Sequence, residues 1–139
     1  MKAHKFQIKK IKTNFDNRGF FQEILRTDKK FKQISYSLVK KNIIKGWHGH
    51  KYQSQWTYFL HGKAQVLVKY KNKIIKKILL DHKKPSIYFL PKKYLHAYKV
   101  LSEYAQVIYL TSGTYDPLKD ELRESIDKNI FKVNFNLKK

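Results

Sequence analysis

Apolar and polar residues alternate along most of this chain with a period of two, the pattern of strands that bury one face. From Phe31 to Val39 the alternation puts Ile34, Tyr36 and Leu38 on one face and Gln33, Ser35 and Ser37 on the other. Further short runs follow at Trp56 to Leu60, Ala64 to Tyr70, Ile74 to Leu80, Ser86 to Leu90, Tyr98 to Leu101 and Ala105 to Thr111, separated by Gly, Asn, Asp, Pro and Lys. Upstream, Phe6, Ile8 and Ile11 stand among lysines, Asn14 to Gly19 supplies a turn, and Phe20 to Leu25 forms another stretch. Short strands at this spacing predict an all-β chain, an antiparallel sandwich or barrel. Helical spacing occurs once: Leu118, Leu122 and Ile126 stand four apart behind Asp116, predicting a short C-terminal helix over Pro117 to Asp127. Ile130 to Leu137 alternates again and is expected to add a strand to the sheet or to a partner subunit. No linker, low-complexity tract or internal repeat breaks the pattern, so residues 1–139 are expected to form a single domain.

Composition narrows the chemistry. A chain of 139 residues can bury a core without covalent staples. With no cysteine it has neither a disulfide framework nor a thiolate zinc site. The segment after Met1 carries no apolar signal region, and no run approaches the roughly 20 residues of a membrane span; a soluble, cytoplasmic protein is expected. Thirty-one Lys and Arg against ten Asp and Glu give a net charge of +21, which suits polyanions, acidic membranes or phosphorylated small molecules. The lysines, however, are scattered in pairs along the whole chain and only three residues are arginine, the side chain that reads bases and phosphates with two prongs. Most of the lysine is read as solvated surface, with no specific nucleic-acid or membrane partner; a polyanion-binding module is the alternative.

The candidate chemistry concentrates at Gly46-Trp47-His48-Gly49-His50. Residues i and i+2 of a strand share a face, so His48 and His50 project together. Such a cluster could ligate a metal, exchange protons near neutral pH, or be satisfied core histidines. Trp47, Trp56 and Tyr58 are read as core or barrel-lining residues.

The spacing of His48, His50, Gln55 and Gly62 resembles the first cupin motif, with Gln where a metal-binding member has Glu, and Pro91 to His96 resembles the second. The resemblance implies a cupin, a jelly-roll-like antiparallel β-barrel, with His48, His50, Gln55 and His96 in its interior. With an amide in place of the anionic ligand, no metal or other cofactor is expected; a metal-dependent cupin oxygenase remains an alternative.

Two families of cupin isomerase are closer. Asp16-Asn17-Arg18-Gly19-Phe20-Phe21-Gln22-Glu23 and Pro91 to Tyr109 resemble segments of dTDP-4-dehydrorhamnose 3,5-epimerases, a likeness that implies Tyr109 as catalytic acid. That family uses a single histidine, paired with an aspartate lying beyond the position of Asp127, and a lysine where this chain has Gln55; no aspartate follows Asp127 here. His48-Gly49-His50-Lys51 with Gln55 and Gly62 is instead similar to the His-Ala-His-Lys-x-x-x-Gln segment of 3,4-ketoisomerases acting on dTDP-4-keto-6-deoxyglucose, which also carry a tyrosine at the position of Tyr36. Lys45, and also Lys40, stand where those enzymes have arginine. The resemblance implies a homodimeric nucleotide-sugar 3,4-ketoisomerase in deoxysugar and surface-glycan biosynthesis, acting on a dTDP-linked 4-keto-6-deoxy sugar. A 3- or 3,5-epimerase is the alternative. The expected catalytic residues are His48, His50, Tyr36 and Tyr109. Arg18, Phe21, Glu23, Lys45, Lys51, Gln55, His96 and Tyr115 are expected to bind substrate. Arg18 and Glu23 could equally tie down the N-terminal hairpin, and Phe21 could be core.

Overall fold

A computed structural model describes residues 5–113, 116 and 118–132. Among these residues twelve strands run β1 (Gln7–Lys10), β2 (Thr13–Asp16), β3 (Gly19–Gln22), β4 (Gln33–Lys40), β5 (Ile44–His50), β6 (Gln55–His61), β7 (Lys63–Tyr70), β8 (Lys73–Asp81), β9 (Ser86–Leu90), β10 (Leu95–Val100), β11 (Tyr104–Thr111) and β12 (Glu121–Arg123). One five-stranded sheet has the order β1-β9-β6-β11-β4 and the other β12-β5-β10-β7-β8; β2 and β3 form a separate hairpin. Every pairing is antiparallel, giving the all-β, cupin-like architecture expected, as two facing sheets rather than a closed barrel.

The period-two pattern sorts the side chains into three apolar clusters. Between the sheets lie Val39, Phe59, Val66, Val68, Tyr88, Leu90, Tyr98 and Val107. Residues of opposite parity face outward: Trp56, Tyr58, Ile87, Phe89 and Leu110 with Ile11, and Trp47, Leu67, Leu95 and Ala97 with Phe131. All three expected core aromatics, Trp47, Trp56 and Tyr58, are thus buried, in the outer clusters.

Two expectations at the C-terminal end are corrected. Residues 118–127 form no helix; a turn, in which Lys119 and Asp120 donate to the Asp116 carbonyl at 3.2 and 2.9 Å, leads into β12. Pairing of β12 with β5 (Glu121 opposite His50, Arg123 opposite His48) satisfies the backbone that a helix would have used internally. Leu122 and Ile126 join the outer cluster while Leu118 is 94% exposed, so their four-residue spacing is not a helical face. Ile130 and Phe131, expected to start a strand, lie in a 3-10 turn, Lys128–Lys132, with Phe131 buried on the second sheet. Pro117 and residues 133–137 of these two expectations fall outside the described residues.

Glycine sets how closely β5 approaches β10. Gly46 has φ +125°, and a Cβ there would stand 2.5 Å from that of Ala97. A Cβ on Gly49 would run into the Tyr94 carbonyl oxygen. With both positions bare, His48 falls directly opposite His96 in the ladder.

Candidate active site

Residues of both sheets line a cleft of about 680 Å³. Its floor on the second sheet carries His48 and His50 from β5 and His96 from β10; the facing wall carries Tyr109 from β11, Gln55 from β6, and Ser35 and Ser37 from β4. The His48 ring centroid is 5.3 Å from that of His50 and 6.2 Å from that of His96.

Each β5 histidine has its own carboxylate. His50 Nδ1 lies 2.6 Å from Asp120 Oδ2, both groups buried. Asp120 also accepts from the Tyr52 backbone N–H at 2.8 Å and the Gln53 amide at 2.6 Å. Burial opposes ionisation of Asp120, but these hydrogen bonds and that from His50 outweigh it and hold the carboxyl below the usual range. His48 Nε2 is 3.2 Å from Glu121 Oε2, which also binds Arg123. Burial, reinforced by His50, lowers the His48 pKa; Glu121 opposes without reversing it. His96 is pushed down to about 3, by burial first and then by the neighbouring His48 and His50. Its Nδ1 is 2.6 Å from the Tyr88 hydroxyl. On the facing wall the Tyr109 hydroxyl meets that of Tyr98 at 2.6 Å. Burial raises the Tyr109 pKa although hydrogen bonds with Tyr98 and Ser37 counter it, so it is a neutral phenol able to donate a proton.

Gln55 links the groups laterally: its Oε1 is 3.2 Å from His50 Nε2 and its amide donates to Thr57 at 3.1 Å. No group of three or more His, Cys, Asp or Glu among the described residues is arranged to hold a metal ion.

Of the residues singled out in the sequence, His48, His50, Gln55, His96, Tyr109 and Lys45 come together in the cleft. The others do not. Tyr36 is corrected: Ser35 and Ser37 face the cleft, so alternation turns Tyr36 to the outer face, where it is 55% exposed and accepts from Gln106. Arg18 is tied to Asp16 at the tip of the β2–β3 hairpin and Glu23 to Arg26, both in exposed ion pairs. Phe21 is 67% exposed rather than core. Lys51 is exposed and enters the site through its backbone N–H, which donates to the Asp120 carbonyl at 2.7 Å. Tyr115 lies outside the described residues.

Asp120 and Glu121 are the residues that sequence reasoning missed, along with Thr57, Tyr88 and Tyr98. The absence of an aspartate after Asp127 reads as a lost histidine partner, yet Asp120 supplies one. A signal was present: two adjacent carboxylates in a chain with only ten acidic residues.

Comparison with known proteins places this geometry. The family model described as dTDP-4-dehydrorhamnose 3,5-epimerase matches residues 4–136. The spore coat polysaccharide biosynthesis protein SpsL of Bacillus subtilis (strain 168) is 31% identical over 142 residues, covering 94% of each chain. Among solved structures, RmlC of Legionella pneumophila Philadelphia 1, a dTDP-6-deoxy-D-glucose-3,5-epimerase in complex with dTDP-4-keto-L-rhamnose, matches with a TM-score of 0.79 and 20% identity over 96% of this chain and 79% of that one. A 3,4-ketoisomerase from Helicobacter canadensis matches with a TM-score of 0.72 and 21% identity over 83% of this chain and 88% of that one. At these identities the structural matches speak for the fold.

Proposed function

The chain belongs to the dTDP-4-dehydrorhamnose 3,5-epimerase family of sugar-nucleotide isomerases, and from that premise we propose that it is a 3,4-ketoisomerase acting on a dTDP-linked 4-keto-6-deoxy sugar. The observation that carries this reading is the doubled histidine on one wall of the cleft, each ring backed by its own carboxylate. A 4-keto group acidifies the hydrogen on C3. Removing that hydrogen and returning one to C4 from the same side moves the ketone to C3 without a redox step. A single face bearing two imidazoles suits that transfer.

In this scheme His50 takes the C3 hydrogen, and the Asp120 carboxylate on Nδ1 stabilises the imidazolium that forms. O4 takes a hydrogen as the enediol forms, and the O3 hydrogen leaves as the new ketone forms; the Tyr109 hydroxyl and the His96 ring serve these oxygens. The proton that His50 has taken passes to the neighbouring His48, whose ring centroid is 5.3 Å away, and His48 delivers it to C4, so the number of protons on sugar and histidines is unchanged. Lys45 and Arg123, both at the cleft, offset the pyrophosphate charge, with Lys51 on the rim. Arg18, Phe21 and Glu23 on or beside the exposed hairpin reach substrate only if a second copy brings them to the cleft, and we propose a cytoplasmic homodimer on that basis.

A second reading, 3- or 3,5-epimerisation, is favoured by Tyr109. It stands on the sheet facing the histidines, where an acid returns hydrogen to the side opposite the base. Incubation with dTDP-4-keto-6-deoxyglucose, with products assigned by proton NMR, separates the readings: a 3-keto sugar supports the first, and a 4-keto sugar inverted at C3 or C5 supports the second.

A further inference from the structure

One carboxylate in the cleft wall serves two cationic partners. Glu121 and Arg123 on β12 stand directly opposite His50 and His48 of β5, and cross-strand partners share a face, so both project inward with the histidines. Glu121 Oε2 accepts from Arg123 Nε, and the same oxygen is 3.2 Å from His48 Nε2. The Glu121 side chain is 9% exposed and that of Arg123 75%. The carboxylate is thus fixed in the wall, while the guanidinium lies largely in water, where an ion pair is weak and a second anion can draw it off.

Arg123 also stands at the junction of two cavities. It lines the cleft and, with Lys69, Lys71 and Lys93, a second cavity of about 280 Å³. Lys69 is already paired with Glu124. A diphosphate drawn to this junction meets the remaining cations and the two-pronged donor set that a guanidinium offers to phosphate.

In the proton transfer described above, His48 takes a proton from His50 and gives it to C4, so it has to hold that proton in passing. With Nε2–H on Glu121, Nδ1 is the nitrogen that takes and gives it. The free protein opposes this step: burial first, then His50 and Arg123, hold His48 below its ordinary value, and Glu121, shared with Arg123, does not make up the difference. His48 faces His50 on its own strand, His96 on β10, and Glu121 and Arg123 on β12, with Tyr109 lining the far wall. Of these, Arg123 is the group that a diphosphate neutralises. We propose that Glu121 is a positioning residue shared between Arg123 and His48, and that a diphosphate seated on Arg123 releases the carboxylate to His48, so that the substrate's own phosphates arm this histidine for proton transfer. Before the anion binds, His48 stays neutral. Once it is in place, the imidazolium has a carboxylate to itself and one cation fewer beside it. The exchange stands on the geometry of β12; its use in turnover rests on the isomerase reading above.

NMR titration of histidine-labelled protein follows His48 directly, with dTDP and inorganic pyrophosphate as separate probes. Each anion at saturation should raise the pH midpoint of His48 by about one unit, a tenfold gain in proton affinity. In Glu121→Gln the rise should fall to about a third or less of that. In Arg123→Gln the midpoint should already be raised without ligand, and the anions should add little. A midpoint that neither anion moves, or a rise that survives in full in Glu121→Gln, overturns the proposal. Turnover of the 4-keto sugar should divide the two residues: Glu121→Gln lowers kcat about tenfold or more with KM within about twofold, whereas Arg123→Gln raises KM with kcat within about threefold. An Arg123→Gln variant whose kcat falls as far as that of Glu121→Gln refutes the release. If pyrophosphate moves His48 in a protein that turns over no 4-keto sugar, the isomerase reading fails and the exchange stands.

Discussion

His48 and His50 are two residues apart and on one face, yet their surroundings separate their roles. His50 is locked between Asp120 and Gln55, while His48 stands nearer the cleft opening with Glu121. His50→Asn should therefore reduce kcat by about a hundredfold to ten-thousandfold with little change in melting temperature, measured by steady-state assay and calorimetry; near-normal activity would refute its role as base. Tyr109→Phe should cost less if the phenol only fills the cleft, and an equally deep loss would mark it as part of the proton path. His96 also makes a stability prediction. Its pKa of about 3 in the folded protein lies below the ordinary 6.5, so the unfolded chain binds the proton first. The stability present above about pH 6.5 should fall as pH drops toward about 3, by at most about 1.4 kcal/mol per pH unit from this group. His48, depressed in the same direction, adds to the loss below its ordinary value. Urea midpoints measured across that window should show a shallower slope in His96→Gln. The histidines were legible in the sequence because they sit at fixed offsets on one strand; Asp120 was not, because it reaches His50 across seventy residues of chain.

At the level of elements, strands that bury one face and so alternate, such as β4, β7 and β11, were legible. Two were not: β2, with Asn14 to Asp16 exposed, falls in the stretch read as a turn, and β12 is three residues long and reads as helix from Leu118, Leu122 and Ile126. Its position depends on tertiary contacts: pairing with β5 and the cap formed by Phe131. Removing that anchor should disturb both stability and the carboxylates that β12 and its turn carry. Phe131→Ala is expected to cost about 3–5 kcal/mol in chemical denaturation and to lower kcat as well; destabilisation with full activity would show that Asp120 and Glu121 are held without the cap. Gly49→Ala forces a methyl group onto the Tyr94 carbonyl. It should part β5 from β10 and cost more stability than an ordinary glycine replacement, whereas a stable, active variant would contradict the close approach.

On the scale of the whole molecule, the chain's +21 charge and its exposed apolar residues set expectations that no single site does. Phe15, Phe20 and Phe21 on the hairpin, and Ile34, Tyr36 and Leu38 along the edge strand β4, are all more than half exposed, more apolar surface than a lone chain ordinarily leaves in water. A homodimer is the expected state, and the paired substitution Tyr36→Asp with Leu38→Asp should shift the mass measured by light scattering toward the monomer. Where the Tyr36 reading assigned catalysis to this face, the structure gives it a surface that a partner can cover. The central claim concerns proton transfer from C3 to C4 along one wall of the cleft. It is tested most directly by incubating the protein with dTDP-4-keto-6-deoxyglucose in heavy water and following C3, C4 and C5 by NMR. The account predicts a 3-keto product with hydrogen returned at C4 and the C5 hydrogen untouched; solvent deuterium at C5, with the ketone still at C4, would contradict it.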